Sequence, residues 1–219
     1  MNRQMFGWML IGCIGVTCRP EEQVILVDVE VVQWATPTAS ASGVTVILEE
    51  QRVSNGVLNA FFTEVDRGVT DGFGQTQLTT LRSNVLSIRL RLEKEGCFDE
   101  IHELDPETLA TQGNSNAITM SLMPQCVIQA EIVHEAEECP SENLLFRWIP
   151  RQLEGAASEY RFSCDEQWQG IGPGETQNET CLVSGGIWLL HQRSWTCIDS
   201  SFIDSVWCPP GGVVELRLD

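Results

Sequence analysis

Apolar and polar residues alternate along this chain with the two-residue period of β-strands that bury one face. In residues 24–32 the odd-numbered positions are isoleucine or valine, while Asp28 and Glu30 fall on the opposite face. Each such stretch supplies one apolar face for the core of a sandwich. The same alternation recurs at residues 43–49, 87–92, 117–122, 128–132, 144–148, 160–162 and 214–218.

Helix signals are nearly absent. Residues 105–112 are the exception, because Asp105 can cap a helix, Pro106 suits its first position and Gly113 can end it. Clusters of glycine, proline, asparagine and aspartate separate the strand-like stretches. Many short strands with frequent turns predict an all-β fold built from antiparallel β-sandwiches.

Length divides the chain into an N-terminal segment, residues 1–18, and two domains. The remainder is about 200 residues, twice the roughly 100 residues of one small sandwich. Pro124 is the predicted boundary, between a first β-sandwich over residues 19–124 and a cysteine- and tryptophan-rich second β-sandwich over residues 125–219. Both halves open and close with a strand-like stretch, which suggests an internal repeat.

The N-terminal segment resembles a bacterial lipoprotein signal. Arg3 precedes an apolar run that contains Leu10-Ile11-Gly12-Cys13, which fits the lipobox of that family. The resemblance implies a lipid-bearing cysteine, Cys13, that tethers the protein to a lipid bilayer of the bacterial cell envelope, on the periplasmic side or at the cell surface. Cys18 is the alternative, because the apolar run reaches residue 17 and polar residues follow it. A cleaved secretory signal and an uncleaved anchor remain open.

Nine cysteines bear on the same choice. If Cys13 is acylated, an even number remains, and all can pair in an oxidising compartment; if Cys18 is acylated, one is left over. No Cys-x-x-Cys motif is present, so disulfide staples are favoured over zinc or redox sites. A bond between Cys197 and Cys208 can close the Asp/Ser-rich loop that they flank. The disulfide candidates are Cys18, Cys97, Cys126, Cys139, Cys164, Cys181, Cys197 and Cys208.

The chain is strongly acidic. Its net charge is −18, from 31 acidic against 13 basic residues, and Lys94 is the only lysine. Nucleic acid and anionic lipid headgroups both require a cationic surface, so neither is an expected ligand.

Residues 43–48 (Gly-Val-Thr-Val-Ile-Leu) and 70–75 (Thr-Asp-Gly-Phe-Gly-Gln), followed by Leu78, form a strand and turn pattern. The pattern resembles the carboxypeptidase regulatory-like family of transthyretin-type sandwiches. The resemblance spans residues 24–124 and implies an Ig-like or transthyretin-like sandwich in the first domain. It also implies an adhesive, structural or binding module of an exported protein, with no catalytic residues to carry over.

Catalytic motifs are not found. His102, His134 and His191 are the only histidines, and none belongs to a His-Glu-x-x-His motif. A Gly-x-Ser-x-Gly nucleophile elbow and a phosphate-binding loop are also missing from the sequence. We therefore expect no catalytic residues and no cofactor. The alternative is an exported enzyme in which His102 or His134 meets carboxylates in a cleft.

An acidic cluster follows Cys97. It can provide oxygen ligands for Ca²⁺, or it can be a strand with outward-facing charges. We expect no metal site here, and a calcium-dependent binding protein is the alternative. The candidate ligands are Asp99, Glu100, Glu103 and Asp105.

Tryptophans concentrate in the second half. Indole rings on the surface of a sandwich bind carbohydrate or protein, whereas buried rings only fill the core. We therefore predict a membrane-anchored lipoprotein with a non-catalytic binding or structural role, whose partner is an envelope protein or a carbohydrate. These tryptophans are Trp148, Trp168, Trp188, Trp195 and Trp207.

Overall fold

The structure is a computed structural model that describes residues 23–54, 57–83, 85–111, 113–135, 141–149, 161–195, 197 and 200–219. The predicted signal segment with Cys13 and Cys18 lies outside these ranges, as do Cys139 and Tyr160. No segment within these ranges forms a helix of the length and hydrophobicity that crossing a bilayer requires.

The first sandwich has two sheets. In one, β1 lies between an antiparallel β6 and a parallel β9, and β2 pairs with the end of β1. The other has the order β5-β3-β7-β8, with β4 on the end of β3. The strands are β1 (Val24–Gln33), β2 (Thr36–Ser40), β3 (Thr45–Ser54), β4 (Val57–Leu58), β5 (Thr63–Val69), β6 (Gln75–Leu81), β7 (Val85–Glu93), β8 (Glu100–Leu104) and β9 (Ser115–Leu122).

The second sandwich follows the same plan. Its β10 lies between an antiparallel β13 and a parallel β16, and its other sheet has the order β12-β11-β14-β15. The strands are β10 (Gln125–Val133), β11 (Leu144–Ile149), β12 (Gln169–Ile171), β13 (Thr176–Ser184), β14 (Ile187–Trp195), β15 (Ser200–Cys208) and β16 (Gly212–Leu218).

Seven strands of the first sandwich have counterparts in the second, whereas β2 and β4 have none among the described residues. In order, β1, β3, β5, β6, β7, β8 and β9 correspond to β10, β11, β12, β13, β14, β15 and β16. This topology agrees with the internal repeat that the opening and closing strands suggested. The predicted all-β, sandwich class is confirmed, and each sandwich adds one parallel pairing between its first and last strands. The two edge strands β8 and β15 therefore occupy equivalent positions in the strand order of their sheets.

Each sandwich closes around its own core. Alternate residues of β1, such as Ile25 and Val27, pack with Leu48 and Leu90 of the facing sheet, and all four are fully buried. In the second sandwich Ile128 of β10 packs in one cluster with residues of β11 and β14. The core clusters lie on either side of Pro124, and the domain boundary placed there stays a prediction.

The predicted helix at residues 105–112 is wrong. Asp105 accepts a hydrogen bond from the Glu107 amide (2.9 Å), and its carbonyl accepts one from the Thr108 amide (3.1 Å), which makes a single turn. The Asn116 side chain then bonds both the amide (2.7 Å) and the carbonyl (3.1 Å) of Ala110. These bonds take the backbone groups that a helix would use, so the chain leaves the turn and enters β9.

The Thr-Asp turn between β5 and β6 is held by side-chain hydrogen bonds. The Asp71 carboxylate accepts from the amides of Phe73 (2.8 Å) and Gln75 (2.9 Å). The Thr70 hydroxyl donates to the Ala41 carbonyl (2.7 Å) and accepts from the Val44 amide (2.9 Å). The motif at residues 70–75 therefore ties the loop before β3 to the hairpin that leads into β6.

Backbone contacts join the two sandwiches. The Gln125 amide donates to the Gly96 carbonyl, and the Gly185 amide donates to the Pro124 carbonyl, both at 2.8 Å. Trp34, which follows β1, packs against the core of the second sandwich. Across the junction Arg161 pairs with Glu100 at 3.1 Å.

Candidate functional site

The outer surface of the β12-β11-β14-β15 sheet carries exposed aromatic and aliphatic residues. Along β14, Ile187, Leu189 and His191 point into the core, so the intervening residues face outward. Register places Trp188 opposite Trp207 of β15. We call this surface the aromatic face, and its members are Arg147, Trp168, Trp188, Leu190, Gln192, Ile203 and Trp207.

A tryptophan pair forms one end of the aromatic face. Trp188 and Trp207 are 49% and 42% exposed, and their ring centroids lie 5.5 Å apart with the planes tilted by 55°. Cross-strand aromatic pairs of this kind stabilise a sheet, yet nearly half of each side chain is left in solvent. The pair therefore offers a raised, angular apolar surface.

A chain of polar contacts forms the other end of the face. The Arg147 guanidinium lies 4.5 Å from the centroid of Trp168 and donates to Gln192 Oε1 at 3.0 and 2.7 Å. The Gln192 amide nitrogen then donates to the Ser201 hydroxyl at 2.8 Å. These groups satisfy one another across β11, β14 and β15, which leaves few free polar groups for a ligand.

The edge strand β15 borders the aromatic face. Nine regular pairings join it to β14, and among the described residues no strand pairs with its other edge. Residues 201–205 are exposed on both faces of the strand, including Phe202 (54%) and Ile203 (61%). An uncovered edge with apolar side chains on both faces is a template for pairing with another strand.

The equivalent edge in the first sandwich, β8, is different. It is five residues long and carries Glu100 and Glu103, whereas β15 is nine residues long and has Asp204 as its only charge. Short length and charged side chains are the usual means of blocking edge-to-edge pairing. Within the described parts of the chain, the first of these two equivalent edges is protected and the second is left without a pairing strand.

The second-half tryptophans divide between core and surface. Trp148 is fully buried and Trp195 is 6% exposed, so these two fill the core. Trp168, Trp188 and Trp207 are exposed and belong to the aromatic face. The sequence left open whether these rings were buried or exposed, and both descriptions hold for part of the set.

The acidic cluster after Cys97 lies on and around edge strand β8. Glu100 pairs with Arg161, burial raises the pKa of its carboxyl, and the Arg161 charge opposes that rise. Asp105 is engaged in the turn before β9. Within the described parts of the chain, no group of three or more His, Cys, Asp or Glu side chains, Asp99 and Glu103 included, has the arrangement of a metal site.

Among the described residues, His102 and His134, the two histidines of the enzyme alternative, do not converge with carboxylates in a cleft. His102 is exposed on β8 of the first sandwich, while His134 and His191 are buried in the second. The ring of His134 contacts the Ile171 carbonyl at 3.0 Å and the Leu144 amide. His191 packs beside Trp148, with ring centroids 5.9 Å apart. The described residues thus do not assemble the cleft that the enzyme alternative requires.

The stability of the second sandwich is expected to fall below about pH 6.5 because of His191. Burial and the Arg193 charge hold the pKa of its imidazole below the usual 6.5, while Asp204 raises it. Below pH 6.5 the unfolded chain binds a proton there that the folded chain does not, so unfolding becomes more favourable. Urea unfolding at about pH 7.5 and about pH 5.5 measures the loss.

His191→Phe should reduce that pH-dependent loss, since phenylalanine does not titrate. An equal loss in wild type and in His191→Phe would show that His191 does not cause it.

The described cysteines fall into two groups, disulfide-bonded and free. Cys164 and Cys181 form a disulfide, which bears out these two candidates, and Cys197 is also disulfide-bonded. Cys97, Cys126 and Cys208 are free thiols in the structure. The suggested Cys197–Cys208 bond is wrong, because the two residues flank opposite ends of β15: Cys208 pairs with Ile187, whereas Ser200 at the other end pairs with Trp195.

Sequence reasoning missed β15 as part of the site. Phe202 and Ile203 are adjacent, as are Val206 and Trp207, so the segment lacks the alternation that marks a half-buried strand. The sequence does indicate an unprotected edge strand in one way, because residues 200–208 contain no lysine, arginine or proline. Those residues are the ones that usually block an edge strand.

Comparison with known proteins gives similarities in structure only. No family model matches the chain, and no curated protein matches it in sequence. The chain is similar to the Bacillus anthracis TIE protein (TM-score 0.38, 9% identity, covering 89% of this chain and 33% of that one). It is also similar to a Streptococcal ancillary pilin (0.32, 13%, 90% and 62%). A third similar structure is the shaft pilin SpaA from Lactobacillus rhamnosus GG (0.34, 10%, 89% and 96%). The chain spans a third of the length of the first and less than two thirds of the second.

Proposed function

We propose that this protein is a non-catalytic binding protein of the bacterial cell envelope, tethered by a lipid on Cys13, that binds an extended segment of a partner protein along β15. The observation that carries the binding role is the nine-residue edge strand, which no other described strand pairs on its outer side and which is exposed on both faces at residues 201–205. The tether rests on the lipobox at residues 10–13. Intact-mass analysis of the membrane-extracted chain tests acylation at Cys13.

Strand addition explains the features of this edge together. A polypeptide segment that pairs with β15 would satisfy the unpaired amides and carbonyls of the edge. Its side chains would alternate between the two faces of the extended sheet. On the outer face they would meet Ile203 and Trp207, and on the inner face Phe202.

The geometry favours protein over carbohydrate as the partner. A sugar ring stacks on an aromatic ring that lies flat and needs nearby hydrogen-bonding groups. The planes of Trp188 and Trp207 are tilted by 55° to each other. The polar groups of Arg147 and Gln192 are already bonded to each other and to Ser201.

The net charge of the chain further restricts the kind of partner segment that can bind β15. The chain carries a net charge of −18, so an acidic partner is repelled at long range and a basic or uncharged segment is favoured. Asp204 lies within the exposed part of β15, on the same face of the sheet as its cross-strand partner His191. A basic side chain on the partner strand would pair with it.

A display library of random peptides about as long as β15 tests this proposal when it is selected against the full chain. We expect enriched peptides that alternate apolar and basic or uncharged polar residues. Ile203→Asp should weaken their binding by about tenfold or more, because it replaces the apolar side chain that apolar residues of the peptide would contact with a charged carboxylate.

Val69→Asp is the matched control, since Val69 on β5 and Ile203 on β15 are both 61% exposed. It should leave peptide binding unchanged. Equal binding to wild type and to Ile203→Asp would contradict the proposal. A change in tryptophan emission with neutral hexasaccharides, without peptide enrichment, would favour carbohydrate and also contradict it.

A further inference from the structure

Two buried cysteines meet between the sheets of the second sandwich. Cys126 lies on β10 in one sheet, and Cys208 ends β15 in the other. Both residues are 0% exposed and belong to the same core cluster. The two thiols lie close enough for each to shift the pKa of the other. The pair therefore spans the interior from sheet to sheet.

Backbone contacts on both sides hold this pair in place. Cys126 pairs with Gly212 in the ladder between β10 and β16. The Cys208 carbonyl accepts a hydrogen bond from the Gly186 amide at 2.7 Å. The Gln125 carbonyl accepts one from the Gly211 amide, also at 2.7 Å. Neither cysteine can move away without breaking regular pairing.

We propose that Cys126 and Cys208 are joined in the mature protein by a disulfide that ties β10 to β15 across the core. Each thiol gives up its hydrogen, and a small-molecule or protein disulfide R–S–S–R accepts the two electrons and two protons, which yields the Cys126–Cys208 bond and two R–SH. The bond fixes the C-terminal end of β15 to β10 of the opposite sheet. This inference does not depend on what binds to β15.

The same sandwich already carries evidence of an oxidising environment. Cys164 and Cys181 are bonded, and Cys197 is bonded as well. Disulfides form and persist in exported proteins, where thiols are not kept reduced. A thiol pair in contact within the same domain meets the same oxidants while the chain folds.

Because both thiols are buried in the folded protein, the Cys126–Cys208 disulfide must form before the second sandwich has closed. With both side chains at 0% exposure, a disulfide reagent cannot reach them in the folded protein. Burial and the neighbouring Cys126 also raise the pKa of the Cys208 thiol to about 12, so the attacking thiolate is scarce after folding. We therefore expect the bond to form during folding and then to be protected from reductants.

Thiol trapping on the exported full-length protein tests the bond. Free thiols are blocked with N-ethylmaleimide, first on the folded protein and then under denaturing conditions without reductant, before non-reducing peptide mapping. Cys97, which is half-buried beside a cleft of about 300 Å³, should be modified. Cys126 and Cys208 should stay unmodified and appear as one linked peptide pair. Modification of both in the denatured protein would overturn the proposal.

Variants separate the bond from simple packing. In Cys126→Ala, the Cys208 thiol should become available to N-ethylmaleimide after denaturation, whereas Cys97→Ala should leave Cys208 blocked. Unfolding and refolding under reductant should lower the thermal midpoint of wild type by roughly 10 °C more than that of Cys126→Ala/Cys208→Ala. The other disulfides are reduced in both proteins, so an equal decrease would show that no such bond exists.

Discussion

Trp148→Ala is expected to lower the free energy of unfolding of the second sandwich by about 3–5 kcal/mol. Trp148 is fully buried, and its ring lies edge-on to Phe146 at 5.2 Å. Its indole nitrogen donates to Glu179 at 2.8 Å. The substitution opens a large cavity and removes the indole donor from the Glu179 carboxylate, so packing and hydrogen bonding are both lost.

Urea unfolding followed by far-ultraviolet circular dichroism measures this loss without relying on tryptophan emission. Trp188→Ala is the control, since that side chain is 49% exposed and lies on the aromatic face. Its cost should stay within about 1 kcal/mol. Similar losses for both variants would mean that Trp148 is not the centre of the core.

Gly74→Ala is expected to destabilise the first sandwich by about 2 kcal/mol or more. Gly74 has a φ of 76°, a region that side chains with a Cβ disfavour. A Cβ there would lie 2.5 Å from the Val31 carbonyl oxygen and 3.1 Å from the Ala41 nitrogen. The Ala41 amide donates a hydrogen bond to the Val31 carbonyl at 2.8 Å, so the new methyl group would disrupt this backbone hydrogen bond.

Gly72→Ala in the same turn is the matched control. A Cβ at Gly72 meets nothing within 4 Å, and its φ lies outside the left-handed region. Its effect should be within about 1 kcal/mol in either direction. Chemical unfolding of the two variants compares them directly, and an equal loss in both would contradict the steric explanation for Gly74.

Strands that bury one face were predictable, because their alternation is local. Residues 24–32 correspond to β1, and the stretches at 117–122 and 214–218 correspond to β9 and β16. Their buried sides are those that the sequence indicated. Strands such as β5 and β15 were missed, because their residues are mostly exposed and their apolar side chains do not alternate.

Features that depend on two distant segments were not predictable. The charges around Glu100 protect a sheet edge only because β8 lies at that edge. The position of β8 is set by its pairing with β7. The contact between Cys126 and Cys208 requires two sheets to meet across a core. The open edge of β15 follows from strand order, and strand order comes from long-range pairing that a single sequence does not display.

The two sandwiches differ in how their equivalent edge strands, β8 and β15, are protected. Strand order alone would make β8 and β15 alike, since each ends a four-stranded sheet path in its sandwich. Charge and shortness block β8, while β15 is long and apolar. Under the proposed function, the first sandwich would act as a support, and β15 of the second would bind the partner.

Site-specific photocrosslinking in the intact envelope of the host tests the binding role most directly. A photoreactive amino acid replaces Ile203 in one protein and the equally exposed Val69 in the other. We predict an adduct at position 203 that protease digests, that Trp207→Ala weakens, and that position 69 does not form. Adducts of equal yield at both positions, a protease-resistant adduct, or none at position 203 would contradict a docking edge for protein on β15.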